Sequence, residues 1–230
     1  VDIIVHGTTL ATNALIERRG AKTALLTTAG FRDVLELGTE SRFDQYDLAM
    51  VKPEPLVPRA LRVGIPERIA ADGAELLPLD FDAVRTAATG LEREGVESVA
   101  IAFLHSYANS RHEMQAAEIV RKVMPQASVS LSCEVSPEMR EYERFSTTVA
   151  NAYVQPVVAR YLARLDTRIK EMGFQCPLYL MLSSGGLTTV ETAIRFPVRL
   201  VESGPAGGAI FASTVADQCG LDRVLAFDVG

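Results

Sequence analysis

The chain has 230 residues, 48% of them hydrophobic, so it can bury the core of one large domain or of two small ones. Its formal net charge of −6 at pH 7, with no compensating basic run, argues against nucleic-acid binding. The apolar stretches are much shorter than a bilayer span and the N-terminus lacks a signal-peptide pattern, so we predict no membrane partner.

The first thirty residues predict a strand, a helix and a second strand. Asp2–Val5 has the pattern of a short strand, Leu10–Arg19 has helical spacing of its apolar residues, and Thr23–Thr27 is again strand-like. Such a βαβ unit favours two parallel strands in one sheet.

An irregular excursion and a hairpin are predicted next. Residues 40–62 contain three closely spaced prolines and little periodicity, which is typical of a loop. Asp72-Gly73 separates the apolar runs 63–70 and 75–79, and this dipeptide favours a hairpin turn.

From residue 80 onward, strands and helices alternate, which is typical of an α/β fold. The helix predicted at 80–94 is expected to bury Phe81, Val84, Ala88 and Leu91. Residues 144–172 can form one long helix or two helices joined near Pro156, which would kink the chain there. The predicted helices are 80–94, 110–124 with Ser110 as its cap, 144–172, 188–194 and 209–216; the predicted strands are 98–104, 128–133, 178–182, 198–201 and 224–230.

The three cysteines, Cys133, Cys176 and Cys219, lie far apart and form no CxxC pair. An odd, dispersed set is typical of reduced thiols in a cytoplasmic protein and not of a disulfide framework or a zinc site. We therefore predict a cytoplasmic location and a buried structural role for each thiol.

The turn after the first strand carries a histidine and two threonines, His6, Thr8 and Thr9. Hydroxyls and free backbone N–H groups at a helix N-terminus can bind an anion, and an imidazole can transfer a proton near neutral pH. The alternative is that a threonine only caps the helix while His6 satisfies a loop hydrogen bond.

Two glycine-containing segments follow predicted strands. Gly185 and Gly186 come after the LYLML strand, at the sheet edge where α/β proteins bind ligands, although a plain turn explains them equally well. The loop Ser203–Gly208 lacks both the Rossmann and the P-loop spacing, so its small residues predict either a phosphate contact or close packing of helix on sheet.

Asp228-Val229-Gly230 ends an apolar strand, VLAFDVG. A carboxylate leaving a buried strand requires a metal ion, water or a hydrogen-bond donor, and Gly230 would let a phosphate approach the backbone. A strand that simply ends at an Asp turn is the competing interpretation.

The charged run 134–144, EVSPEMREYER, is interpreted as a solvated helix face with i,i+4 pairs. Arg140 and Arg144 could instead reach a carboxylate or a phosphate, with Glu143 beside them. His112, near the start of a predicted helix, is expected to be exposed.

Several blocks carry a family resemblance: HGTTLATNALIERRG, REYERFSTTVANAYVQP, SSGGLTTVETA and VESGPAGG. Together they closely resemble the hydantoinase A / 5-oxoprolinase family, which includes N-methylhydantoinase A and relatives in the acetone and acetophenone carboxylases. The resemblance implies the ATPase fold of the actin, Hsp70 and sugar-kinase (ASKHA) superfamily, with ribonuclease-H-like halves in which a mixed sheet is flanked by helices. It also implies truncation at both ends, beyond one Asp-X-Gly-Gly-Thr loop and within another, so we expect this stretch alone to be inactive.

The implied activity is ATP-dependent opening of a cyclic amide, such as a hydantoin or 5-oxoproline, with Mg²⁺ on the phosphates. An acetone- or acetophenone-type carboxylase subunit and a non-catalytic nucleotide-binding assembly domain are the alternatives. The residues carried over are Asp228 as catalytic residue and metal ligand, His6 as catalytic residue, and Thr8, Thr9, Gly185, Gly186, Ser203, Gly204, Gly207, Gly208 and Gly230 for the nucleotide.

The same resemblance implies two regions, residues 1–175 as the hydantoinase/oxoprolinase N-terminal region and 176–230 as the start of the ATPase domain. A hydantoinase B-like partner and an oligomeric state are expected.

Overall fold

A computed structural model describes residues 1–39, 46, 47, 49 and 51–227 of the chain. It divides into two compact units, Val1–Gly20 with Val157–Gly230, and Ala21–Pro156. We call the first the split unit, because two separate stretches of chain build it, and the second the central unit.

The described residues form the following elements. The strands are β1 (Ile4–His6), β2 (Thr23–Thr28), β3 (Arg62–Ile65), β4 (Arg68–Ile69), β5 (Glu75–Leu77), β6 (Ser98–Ala102), β7 (Ser128–Leu131), β8 (Leu178–Met181) and β9 (Leu187–Thr189). The α-helices are α1 (Leu10–Ile16), α2 (Val34–Leu37), α3 (Phe81–Arg93), α4 (Arg111–Val123), α5 (Ser132–Val135), α6 (Glu141–Glu171), α7 (Val190–Arg195) and α8 (Ser203–Cys219), and 3₁₀ helices cover Arg59–Leu61 and Pro197–Leu200.

The central unit is built on a four-stranded parallel sheet with the order β3-β2-β6-β7. Every residue of β2 and β6 is buried, which explains why neither strand alternates strictly between apolar and polar residues. The predicted α/β character is therefore confirmed as a mixed α/β fold with sheets and flanking helices.

Helices α3 and α4 pack on this sheet through their apolar faces. Val84, Ala88 and Leu91 are buried as predicted, and the Asp80 side chain caps α3 by accepting a hydrogen bond from the Ala83 backbone N–H at 2.9 Å. Phe81 is 47% exposed, contrary to expectation, because it is the first residue of the helix and lies beyond the edge of the buried stripe.

The start of α4 also differs from the prediction. Ser110 makes no side-chain capping bond; the Asn109 side chain instead accepts a hydrogen bond from the backbone N–H of Arg111 at 3.1 Å. Pro156 lies within α6, which is a single helix of 31 residues. The predicted hairpin is confirmed, since β4 and β5 pair antiparallel around Asp72-Gly73.

The split unit contains a three-stranded sheet with the order β1-β8-β9. β1 is parallel to β8, with Ile4 opposite Leu178 and His6 opposite Leu180, whereas β8 and β9 are antiparallel. The prediction that β1, α1 and β2 form one βαβ unit is therefore wrong. β1 pairs with a strand from far along the chain, and a local pattern carries no information about such a partner.

Three predicted strands also differ from the structure. Residues 198–201 belong largely to a 3₁₀ helix that Pro197 begins with its fixed φ, and the strand predicted at 128–133 ends at Leu131, where α5 begins. Residues 224–227 are not a strand, and Leu225 and Phe227 are 88% and 85% exposed. A strand needs a hydrogen-bonded neighbour, and none of the described strands pairs with this segment.

The cysteines are free thiols, as predicted for reduced residues. Cys133 and Cys176 are partly buried, but Cys219 at the end of α8 is exposed, so the expectation of a buried role is wrong for it. Within the described ranges, no helix combines the length and the apolar character needed to cross a bilayer.

Candidate functional site

The turns that follow β1 and β8 leave the same edge of the split unit. The two strands are parallel and in register, so the residues after His6 and those after Met181 emerge side by side at their carboxyl ends. This edge is where α/β sheets commonly bind ligands. Most of the residues predicted for the site lie on these two turns or on α8.

His6 contacts a residue that the sequence did not indicate. Its Nε2 atom is 2.8 Å from the hydroxyl oxygen of Tyr161, and the two ring centroids are 5.9 Å apart. Burial lowers the pKa of His6 below its ordinary value of 6.5, which favours the neutral imidazole near pH 7. Tyr161 lies within the continuous helical pattern of α6, and no spacing signal distinguishes it from a packing residue.

The threonines complete the first turn. The Thr8 hydroxyl accepts a hydrogen bond from the Leu10 backbone N–H at 3.2 Å, while the Thr9 hydroxyl accepts one from the Asn13 side chain at 3.4 Å. Thr9 is the residue before α1 and makes no side-chain bond to the helix backbone. The helix itself has seven residues.

The segment Ser203–Gly208 was predicted to be a loop, and this is wrong, because it forms the first turns of α8. Glu202 precedes the helix with a left-handed φ of 63°, and this conformation redirects the chain into the helix. The Ser203 hydroxyl donates to the backbone carbonyl of Thr8 at 3.1 Å, and the Glu202 N–H donates to the Thr12 hydroxyl at 3.2 Å. The start of α8 is thereby joined to the turn that carries Thr8.

The glycines of this segment differ in their surroundings. A Cβ on Gly204 would lie 3.6 Å from the Thr9 methyl group, and one on Gly207 would lie 3.8 Å from the Met181 side chain. A Cβ on Gly208 would have no neighbour within 4 Å. A Cβ would therefore make ordinary van der Waals contacts at Gly204 and Gly207, whereas at Gly208 it would face open space.

The turn after β8 lies against the middle of α8. Gly185 has a φ of +82°, which favours glycine, and a Cβ at this position would lie a tight 3.1 Å from the end of the Ile210 side chain. Gly186 closes the turn, since its carbonyl accepts a hydrogen bond from the Leu182 N–H at 2.8 Å. The Ser183 N–H and hydroxyl both donate to the Arg199 carbonyl at 3.0 Å.

Two of the residues predicted for the site, Asp228 and Gly230, lie outside the described residues, as does Val229 between them. Within the described ranges, no three or more histidine, cysteine, aspartate or glutamate side chains form a group that could hold a metal ion.

The run 134–144 is not simply a solvated face, because Arg144 is fully buried in the central unit. Its guanidinium donates to the carbonyls of Phe103 and Glu138, both at 2.9 Å, and to the Ser132 hydroxyl at 3.2 Å. Arg140, by contrast, has an exposed side chain, 82% accessible, that lies 4.0 Å from Glu143. Arg140, Glu143 and Arg144 all belong to the central unit.

Arg144 belongs to a buried polar network with Glu113. The Glu113 carboxylate accepts hydrogen bonds from the N–H groups of Phe103 and Cys133 and from the Ser132 hydroxyl. Burial raises the pKa of Glu113, and these hydrogen bonds oppose that shift. Burial also raises the pKa of the Cys133 thiol, which keeps it protonated and unreactive.

His112 was expected to be exposed, but it is buried, with 1% of its surface accessible. Its Nδ1 atom is 2.8 Å from the Glu67 carboxylate and its Nε2 atom 3.1 Å from that of Glu75. Glu67 also accepts a hydrogen bond from the Thr28 hydroxyl. Both ring nitrogens of His112 therefore have a carboxylate partner, which allows this polar side chain to be buried.

The chain is similar in sequence and structure to ATP-dependent enzymes. The caprolactamase subunit alpha of Pseudomonas jessenii is 41% identical to it, over 100% of this chain and 33% of that protein. The crystal structure of ATP-dependent caprolactamase from Pseudomonas jessenii matches with a TM-score of 0.89 at 40% identity, over 100% of this chain and 33% of that one. The acetophenone carboxylase gamma subunit of Aromatoleum aromaticum is 30% identical over 100% of this chain and 33% of its own length.

The chain thus spans about a third of the length of these relatives. The family model for the hydantoinase/oxoprolinase N-terminal region matches residues 1–124, and the hydantoinase/oxoprolinase model matches residues 144–230. The chain therefore belongs to the hydantoinase/oxoprolinase family.

Proposed function

We propose that the full-length protein opens a cyclic amide at the expense of ATP. The likeness to ATP-dependent caprolactamase along all 230 residues carries this proposal. The cluster of His6, Tyr161, the threonine turn and the start of α8 supports it, because these groups can contact a polar substrate at one sheet edge. At the level of the fold, we propose membership of the actin, Hsp70 and sugar-kinase superfamily.

The chemistry explains why such a reaction needs ATP. A ring amide is a poor electrophile, because its nitrogen donates electron density into the carbonyl group. Transfer of the γ-phosphoryl group forms a bond from the carbonyl oxygen to phosphorus and breaks the bond to ADP. Water then attacks the carbon, the C–N bond breaks and the ring nitrogen takes a proton, which leaves an acyl phosphate. A second water hydrolyses this acyl phosphate to the carboxylate and inorganic phosphate.

The residues of the split unit would contribute positioning and proton transfer. A neutral His6, oriented by the Tyr161 hydroxyl, is suited to accept a proton from the attacking water. Thr8, Thr9 and the first turn of α8, from Ser203 to Gly208, are the proposed phosphate contacts, with Gly185 and Gly186 on the neighbouring turn. Gly208 has the most open surface among these glycines.

We propose that Asp228 is the Mg²⁺ ligand and that Gly230 allows the phosphates to approach. Mg²⁺ commonly takes one or two carboxylates, substrate phosphate oxygens and several waters, so one aspartate is a sufficient protein ligand. Bound Mg²⁺ would neutralise the charge that develops on the phosphates.

A second candidate function is carboxylation of a ketone, supported by the similarity to the acetophenone carboxylase gamma subunit. In this case the phosphoryl acceptor would be an enol oxygen. Because the relatives are named as subunits, we also propose a hydantoinase B-like partner and an oligomeric, cytoplasmic enzyme. A non-catalytic, nucleotide-binding assembly domain is the third possibility.

Phosphate release from ATP by the full-length protein with its partner tests these proposals. We expect release only when a substrate is present, with hydantoin, 5-oxoproline and caprolactam compared against acetone and acetophenone. Asp228→Asn should lower turnover by roughly 10²-fold or more without unfolding the protein. Stimulation by a ketone alone would favour the carboxylase, and turnover of the Asp228→Asn protein at the wild-type rate would exclude Asp228 from the site.

A further inference from the structure

The central unit contains a pocket of about 350 Å³ that is separate from the residues discussed above. It lies between the C-terminal end of α2, the segment 51–56 and the first turns of α6. Its volume is at the lower end of the range for ligand pockets, about 300–1,000 Å³, so it suits a small molecule.

The inner walls of the pocket are apolar. Val149 is 2% exposed, and Leu35 and Leu56 pack against the hydrophobic core of the unit. Gly38 shapes one side, since it ends α2 with a φ of 62° and a ψ of −147°, a conformation accessible essentially to glycine alone. A Cβ on Gly38 would lie 3.7 Å from the Tyr142 ring.

Tyr142 offers the pocket an available hydrogen-bond donor. Its backbone carbonyl accepts a hydrogen bond from the Ser146 hydroxyl at 2.6 Å, but its own hydroxyl has no partner among the residues that the structure describes. Lys52 is committed differently, because its Nζ atom donates to the carbonyls of Leu37 at 2.9 Å and Glu36 at 3.3 Å. Tyr142 can therefore donate to a ligand without breaking a bond to any residue that the structure describes.

The charges at the pocket favour an uncharged ligand. Two carboxylates, Glu36 and Glu54, line it together with one ammonium, Lys52. Glu36 is also paired with the buried Arg62 at 2.8 Å, so its charge is already compensated. The described lining residues carry no surplus of positive charge that could receive an anion.

We propose that this pocket binds a small, neutral carbonyl compound with an apolar ring or chain, whose oxygen accepts a hydrogen bond from the Tyr142 hydroxyl. A lactam and an aromatic ketone share this chemistry. In its choice of these ligands, the proposal rests on the proposed function.

Binding of ε-caprolactam to the full-length protein, measured by calorimetry without ATP, tests the proposal. We expect saturable binding to the wild type and about a fivefold higher Kd for Tyr142→Phe, because that change removes one hydrogen bond and keeps the ring against Gly38. Ser146→Phe should fill the pocket and abolish binding. Tyr153→Phe, which removes a hydroxyl elsewhere on α6, is the matched control and should leave the Kd unchanged.

Parallel titrations with acetophenone and 5-oxoproline test the ligand class. Binding of caprolactam or acetophenone in preference to the anionic 5-oxoproline supports the proposal. Which of the two compounds binds more tightly shows whether the pocket takes a lactam or a ketone. Tighter binding of 5-oxoproline through Tyr142 would overturn it. So would the absence of saturable binding to the wild type, or equal Kd values in the wild type, Tyr142→Phe and Ser146→Phe.

Failure of the proposed function gives a different result. If caprolactam binds in a Tyr142-dependent manner but never stimulates ATP hydrolysis, the pocket proposal is supported and the proposed opening of a cyclic amide fails. If caprolactam stimulates ATP hydrolysis while Tyr142→Phe and Ser146→Phe leave the Kd measured without ATP unchanged, the pocket proposal fails alone.

Discussion

The pKa of His6 can be measured directly, and its direction follows from its burial. We expect its NMR titration midpoint below 6.5, because burial disfavours the charged imidazolium. A histidine with a lowered folded pKa stabilises the fold above its unfolded pKa, and that contribution is lost as the pH falls through the folded value. His6→Gln assigns the signal among the three histidines, and a midpoint at or above 6.5 would contradict the prediction.

Arg144 and His112 mark the limit of what the sequence predicts for individual side chains. Both lie in polar, charged stretches, and such stretches are usually solvated. Their burial depends on acceptors supplied by distant residues, Phe103 for Arg144 and Glu67 for His112. The contact between Tyr161 and His6 could not be predicted for the same reason, because it forms only in the folded chain.

Two glycines test how the turn after β8 and helix α8 fit together. Gly185→Ala should destabilise the protein by about 1–2 kcal/mol, because alanine disfavours the positive φ and would crowd Ile210. Gly208→Ala should stabilise it by about 0.5–1 kcal/mol, since the position is helical and its surroundings are open. Urea unfolding measures both changes, and effects of the same sign would contradict this account.

Elements specified by neighbouring residues were predicted well. Helix α3 follows from its apolar spacing, and the β4–β5 hairpin follows from Asp72-Gly73. Elements whose partners lie far away in the sequence were predicted poorly. β1 was expected to share a sheet with β2, but it pairs with β8. The turns after β1 and β8 were predicted as turns, but the helical start of α8 was missed because its small residues resemble a loop.

The two units differ in how far they depend on distant chain segments. Residues 21–156 contain the complete parallel sheet and the core that packs on it, so we expect this stretch to fold when expressed alone. Residues 157–230 alone should not fold, because β8 lacks its partner β1. Circular dichroism with thermal unfolding measures both, and a cooperative transition in the 157–230 stretch, or none in 21–156, would contradict this expectation.

The pairing of β1 with β8 has a consequence for biosynthesis. The amino-terminal strand leaves the ribosome early, but its partner is translated only after the entire central unit. β1 therefore cannot pair with β8 until the middle of the chain has been synthesised. If the central unit folds before β8 pairs with β1, the effective loop between the two strands is shorter. This lowers the entropic cost of joining strands that lie so far apart in the sequence.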